Sequence, residues 1–228
     1  MTEGKLNNID ACVFDAYGTL FDVNAAAARC RDVLGDSADA LAATWRTKQL
    51  EYTWLRSLRG DYIDFWHITG QSLDYAMASL GLTDECLRAR LMELYFVLDA
   101  YAEVPEVLQA IKSSGRRMAI LSNGSPSMLI AAVRRAGIER LLGETISVDA
   151  VKIYKPHPST YQLAVDRLRV EAERICFLSA NGWDVSGAAF FGFRVVWINR
   201  SGAQPEQLPG QAEHEIQSLR ELPALLGA

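Results

Sequence analysis

The sequence predicts an α/β fold in which a parallel sheet, covered by helices on both faces, is interrupted by an all-helical insertion. Two observations carry that prediction. Five short runs rich in apolar and β-branched residues, DACVFDA, RMAILSN, ETISVDA, RICFLSA and RVVWINR, alternate with segments of helical period and glycine stops. That is the pattern of βαβ units around a parallel sheet. From about Asn24 to Ala100 the alternation stops, and no convincing strand occurs in the interval.

The first run, within VFDAYGTL, ends on a carboxylate, Asp15, with Gly18 three residues later. In the insertion, ADALAATWRTKQLEYTWLRSL and DECLRARLMELYFVLDAY read as amphipathic helices, with turns near RGDY and GLTDE. An insertion at this point sits over the carboxyl ends of the strands, where open α/β sheets bind ligands. The core resumes near EVPEVLQAIKSSG, where Pro105 suits a first helical turn and Gly115 a C-terminal stop. The expected division is therefore a core of residues 1–23 and 101–228 and a helical cap of residues 24–100, with the site between them. GAQPEQLPGQ reads as a polar loop before a short C-terminal piece.

Composition narrows the class. Half of the 228 residues are hydrophobic, which marks an ordered globular chain. Lys and Arg total 23 against 28 Asp and Glu, a net charge of -5 with the basic residues scattered. This argues against a nucleic-acid or anionic-membrane partner. Cys12, Cys30, Cys86 and Cys176 form no CxxC pair, and with three histidines neither a zinc cluster nor a redox dithiol is legible. Four reduced thiols suit a cytoplasmic protein. The first residues lack a secretory h-region, and no apolar run approaches the roughly 18 residues that span a bilayer, so the expected location is the cytoplasm.

The expected strand ends carry polar residues: Asp15 and Thr19, then Ser122 and Asn123, then Lys155, then Ser179, Asn181 and Asp184. In a parallel sheet these gather on one edge without metal-ligand spacing. Singly, each is an ordinary loop residue or helix cap, and Ser125 and Asp184 have cap-like settings. As a set, recurring at strand after strand, they are better explained as a site. A half-buried Asp15 must be paired or used, and Lys155 is the cation that would keep it ionised. An ionised carboxylate can act as a nucleophile and form an ester or an acyl phosphate. Arg46 shares a helical stripe with Leu50 and Trp54, so it points where apolar residues point. A snorkelling arginine and a functional one, suited to an anionic substrate or leaving group, are about equal readings there. SNGS and SANGWD mark strand-to-helix junctions that favour anions. KPHPSTYQLAVDRL puts Lys155 and Tyr161 around a helix start, where a capped loop and a core tyrosine are the plain alternative. Tyr17, Phe65 and Trp183 suit a core or the wall of a small dry pocket.

FDAYGTLFDV, WRTKQLEYTWLRSL, LSNGSPSML, VKIYKPHPSTYQLA and FLSANGWDVSGAAFFGF occur in this order across nearly the whole chain. In them the sequence resembles the haloacid dehalogenase superfamily and, within it, the L-2-haloacid dehalogenases. The resemblance implies a Rossmann-like core with a helical cap, a homodimer, no cofactor and no metal. The superfamily's phosphatases carry a second aspartate two residues after the nucleophile, where this chain has Tyr17, and extra acidic groups where it has Ser179 and Asn181. Without a second acid no proton donor serves an alcohol leaving group, whereas halide needs none. So few carboxylates also hold a hard cation poorly.

The resemblance further implies that Asp15 displaces halide from C2 of an L-2-haloalkanoate with inversion, and that water then frees a D-2-hydroxy acid. Arg46 and Asn123 would receive the halide, with Trp183. Ser122 and the Tyr17 backbone would hold the substrate carboxylate, and Leu50 and Phe65 would line the pocket. Lys155 would orient Asp15 with help from Thr19 and Tyr161. Asp184, placed by Ser179 and Asn181, would polarise the hydrolytic water. Where the family pattern has glutamine after the arginine, this chain has Thr47, a pocket position that bears on chain length and halogen. A magnesium-dependent phosphatase of the superfamily and a non-catalytic anion-binding member are the alternative functions.

Overall fold

Residues 4–228 are described by a computed structural model. Six strands, β1 (Ala11–Phe14), β2 (Arg117–Ser122), β3 (Glu144–Ser147), β4 (Ile175–Ser179), β5 (Arg194–Ile198) and β6 (His214–Ile216), form one parallel sheet in the order β3-β2-β1-β4-β5-β6. The five strands expected from the sequence are present. The sixth falls in the short C-terminal piece and spans three residues, too few to show a period.

Ten α-helices accompany the sheet among the described residues. The interval after β1 holds α1 (Ala25–Ala28), α2 (Arg31–Leu34), α3 (Ser37–Arg59), α4 (Phe65–Ser79) and α5 (Glu85–Phe96), and no strand. They are followed by α6 (Val104–Ser113), α7 (Pro126–Ala136), α8 (Pro158–Leu168), α9 (Gly182–Phe191) and α10 (Leu222–Leu226). Pro105 lies in the first turn of α6, and Gly115 takes positive φ just beyond its end. Helix α5 stops at Phe96, five residues short of the stretch that reads as helical, because Ala100 pairs with Phe21 in an isolated bridge.

The sheet is buried on both faces, and the side chains divide by parity as the pleat requires. Cys12, Phe14, Met118, Ile120, Cys176, Leu178, Val196 and Ile198 enter one apolar cluster. Ala11, Val13, Ala119, Leu121, Ile175, Phe177, Val195 and Trp197 enter the other. Each fully buried Val, Leu, Ile or Phe contributes about 1.5–3 kcal/mol, so register is strongly fixed. That register puts Phe14 opposite Ile120 and Leu178, so β1, β2 and β4 end at one level and present Asp15, Ser122 and Ser179 on the same edge.

Helix α3 corrects one expectation. Its buried face runs through Ala38, Leu41, Trp45, Gln49 and Thr53, while Arg46, Leu50 and Trp54 lie half-buried one step around the helix, and Thr47 is exposed. Trp45 anchors the buried face by donating its indole N–H to the Thr69 carbonyl in α4 at 2.9 Å.

Candidate active site

Asp15 follows β1 directly, with its amide hydrogen-bonded to the Leu178 carbonyl at 2.8 Å. Gly18, at φ +89°, turns the chain sharply behind it, a conformation that a side chain would strain. The turn returns Thr19 to the carboxylate: its hydroxyl donates to Asp15 Oδ2 at 3.1 Å and accepts the Ala180 amide at 2.8 Å. Arg200, beyond β5, donates to the Thr19 carbonyl at 3.1 Å and to Glu103 at 2.6 Å.

Lys155 is fully buried just before α8. Its ammonium lies 3.2 Å from Asp15 Oδ1 and 3.0 Å from Asp184 Oδ2, over the Phe177 ring. Burial alone would push this lysine down, but Asp15 and Asp184 outweigh it and hold the group above its ordinary value. Burial pushes Asp184 up, with the like charge of Asp15 adding to the effect, while Lys155 and the Tyr161 hydroxyl pull the other way. The Tyr161 hydroxyl donates to Asp184 Oδ1 at 2.8 Å, and burial followed by the Asp184 charge holds that phenol well above its usual range. It stays a donor at any working pH.

Asn181 opens α9 and connects the two halves of the site. Its Nδ2 donates to Asp15 Oδ2 at 2.9 Å and to the Tyr17 carbonyl at 3.2 Å, and its Oδ1 accepts from Arg46 Nη2 at 3.1 Å. Seven of the expected residues, Asp15, Thr19, Arg46, Lys155, Tyr161, Asn181 and Asp184, thus form one hydrogen-bonded chain from α3 to the sheet. Ser122 and Ser179 close local turns by accepting the Gly124 and Asn181 amides, each at 3.1 Å, and Asn123 Oδ1 accepts the Lys155 amide at 3.1 Å. The Ser122 hydroxyl proton and the Asn123 Nδ2 have no protein acceptor among the described residues, so both donors are free for a ligand.

Tyr17 is buried against Phe65 and Tyr95, with ring centroids 5.8 and 5.9 Å away, and Gly124 leaves room for its edge. Trp183 packs edge-on against Trp54 at 5.5 Å, and the buried indole nitrogens of both have no acceptor among the described residues. Leu50 is half-buried with no polar tie to the cluster.

Several expected arrangements differ. Tyr161, expected to help Lys155 orient Asp15, bonds Asp184, because its position in the first turn of α8 faces α9. The Asp184 carboxylate is held by Lys155 and Tyr161; Ser179 and Asn181 do not bond it, and reach Asp184 only through the backbone entering α9. Nor does Asp184 cap a helix: it lies in the first turn of α9, while Ser125 does cap α7. Thr47, expected at the pocket, is exposed. Gln49 and Tyr95, which the sequence reading passed over, adjoin Arg46: Gln49 accepts from Arg46 Nη1 at 2.8 Å. The available signal was a neutral amide four residues after Trp45, in the apolar row of α3.

Among the described residues no three His, Cys, Asp or Glu side chains gather as a metal site. The two carboxylates of the cluster share Lys155 instead. No described helix is long and apolar enough to cross a membrane.

The chain is 46% identical over 222 residues to (S)-2-haloacid dehalogenase 4A of Burkholderia cepacia, covering 97% of this chain and 96% of that one. A solved dehalogenase structure with an intermediate complex superposes with a TM-score of 0.95 at 46% identity, covering 97% of this chain and 98% of the other. The L-2-haloacid dehalogenase of Xanthobacter autotrophicus with chloropropionic acid covalently bound superposes at 0.89 with 36% identity, covering 96% and 99%. The model of the haloacid dehalogenase-like hydrolases matches residues 9–192. With the carboxylate, the lysine and the strand-end polar residues all inside that span, this protein belongs to the haloacid dehalogenase-like hydrolase family.

Proposed function

We propose that this protein hydrolyses the carbon–halogen bond of short L-2-haloalkanoic acids, giving D-2-hydroxy acids by way of an ester on Asp15, without a metal ion. In this reading residues 24–100 act as a cap over a core of residues 1–23 and 101–228. The observation that carries it is the pairing across Asn181: a buried carboxylate paired with the Lys155 ammonium on one side, and the Arg46 guanidinium on the other. That arrangement suits in-line displacement, in which a nucleophile and a receiver of departing anionic charge flank one carbon.

In the first step an Asp15 oxygen bonds to C2 as the C2–halogen bond breaks with its electron pair, so the configuration inverts. The halide departs toward the Arg46 guanidinium. The free Asn123 Nδ2 and the unpartnered Trp183 indole N–H are further donors for it. The free Ser122 hydroxyl and nearby backbone amides bind the substrate carboxylate. In the second step water, deprotonated toward Asp184, adds to the Asp15 carboxyl carbon. The ester bond breaks, the proton on Asp184 passes to the departing oxygen so that the hydroxy acid leaves with the original Asp15 oxygen, and the remaining proton of the water goes to solvent as Asp15 returns to a carboxylate. Lys155 remains cationic throughout and stabilises whichever of Asp15 and Asp184 is charged.

Two features favour halide over phosphoryl transfer. Position 17 offers a buried aromatic ring and no second acid. The Asn181 amide spans Asp15 Oδ2 and the Tyr17 carbonyl, so two oxygens that could face a cation face an N–H donor. The test is halide release from L-2-chloropropionate with and without EDTA, with chiral analysis of the product and p-nitrophenyl phosphate as control. Chloride and D-lactate in both conditions, with no nitrophenol, support the reading. Loss of activity with EDTA, or turnover of the phosphate ester alone, overturns it.

A further inference from the structure

We propose that Gln49 is a positioning residue for the reaction: an uncharged buried acceptor that fixes the Arg46 guanidinium toward Asn181 while leaving its positive charge uncancelled. The inference rests on the dehalogenase reading of the site.

Gln49 is almost wholly buried, and every polar atom of its amide is committed. Its Oε1 accepts from Arg46 Nη1 at 2.8 Å and from the Tyr95 hydroxyl at 3.2 Å. Its Nε2 donates to Thr69 Oγ1 at 2.8 Å, and the Thr69 hydroxyl passes its own proton to the Phe65 carbonyl at 2.7 Å. The amide orientation is fixed by chemistry, since arginine has no acceptor and must meet the oxygen face. The guanidinium therefore has one arm on Gln49 and the other on Asn181. Arg46 is half-buried on a helix surface where many rotamers are open to so long a side chain, and this bond selects one.

The choice of an amide has an electrostatic consequence. A carboxylate of the same shape would form a closer pair with Arg46 and cancel the charge that the departing halide must meet, an effect amplified in a dry site. The amide provides the geometry without that cancellation. Tyr95 extends the same network to the nucleophile loop, because its ring stacks on Tyr17 at 5.9 Å and 21° while its hydroxyl is bonded to Gln49.

The test compares the full-length wild type with Gln49→Glu and Gln49→Met, reading kcat, KM, inhibition by added bromide and thermal protection by bromide at constant ionic strength. Expected for Gln49→Glu is a kcat loss of roughly tenfold or more with KM within about threefold. Bromide inhibition should weaken by about tenfold and bromide protection should vanish. Gln49→Met, which keeps length and volume but offers no acceptor, should show the same direction and serves if the glutamate variant does not fold. A purely structural role would lower the unfolding temperature and leave the bromide readouts unmoved. A wild type that turns over, with both variants within twofold of it in kcat and bromide inhibition, overturns the assignment. A wild type that releases no halide yet is protected by bromide, with that protection lost in Gln49→Glu, sinks the dehalogenase reading and leaves the Gln49 assignment standing.

Discussion

Lys155 is the residue on which the electrostatics of the site turn, because it is the one cation between two buried carboxylates. Replacing it by Met leaves Asp15 and Asp184 facing each other without compensation. The expected cost is about 3–5 kcal/mol, measurable by urea unfolding at neutral pH. Asp15→Asn is expected to lower kcat at least about a thousandfold while the variant stays folded, checked by halide release and circular dichroism. Asp184, raised above its ordinary 3.8 by burial, takes up its proton in the folded state at a pH where a free aspartate is still ionised. The proposed water-activating form is therefore lost as pH falls through that raised value, and the acid limb of the kcat profile should lie above pH 3.8 and move or vanish in Asp184→Asn. For stability the sign is opposite: this carboxyl's contribution is fully present below 3.8 and is lost as pH rises through its folded value. Lys155, raised above 10.5, contributes stability that is present below 10.5 and lost only above it.

Elements carry these residues only because their packing leaves no slack. Helix α9 meets α8 at Gly187, where an added methyl would lie 2.6 Å from both the Tyr161 hydroxyl and Pro156 Cβ. Gly187→Ala should push Tyr161 off Asp184, lowering stability by about 1–3 kcal/mol and kcat by more than the loss of folded protein explains. Thermal melts paired with active-site titration check it. In helix α3 the buried face is not the most apolar one. Its period was legible and its length nearly so, but the buried row includes Gln49 and Thr53, so scoring by apolarity shifted the inferred face by one residue toward Leu50 and Trp54. Helix α4 falls inside the expected all-helical interval, but no segment of its own marked it as a helix. FWHITGQSLDYAMAS mixes β-branched and polar residues, and its buried Thr69 and Ser72 satisfy their hydroxyls on Phe65 and Ile68 carbonyls within the helix, which no local pattern reveals.

At the scale of the whole molecule, several polar contacts join the inserted helices to the sheet and its helices, among them Arg135 to Asp99 at 3.1 Å. Arg46 reaches Asn181 at the site. At a distance from it Tyr62 hydrogen-bonds Asp149, Tyr154 donates to the Ile63 carbonyl at 2.6 Å and the Tyr154 amide donates to Ser57 at 3.1 Å, with the two tyrosine rings stacked at 5.0 Å. Burial, then the Asp149 contact, pushes the Tyr62 hydroxyl up, so this bond persists across the whole working range. Tyr62→Phe removes the bond without removing the ring. It should raise KM severalfold with kcat little changed, at a stability cost of about 1 kcal/mol, because the helices would open more readily over an intact site. Stopped-flow substrate binding and unfolding curves check both halves.

The sequence by itself determined the first five strands, the interval without strands that separates the first two of them, and the placing of Asp15, Ser122 and Ser179 at strand ends. These follow from local period and from the rule that parallel strands present one edge. It also named Lys155, Asn181 and Asp184 as members of one set. Only the tertiary structure decided who holds whom. Tyr161 lies 23 residues before Asp184 and Arg46 135 residues before Asn181, separations at which spacing carries no geometric information. The commitment of Gln49 to Arg46 became visible only once Tyr95 and Thr69 had filled the other positions on its amide. A buried polar group is defined by its partners, and those partners are brought together by packing the sheet and the inserted helices, not by the residues beside it in the chain.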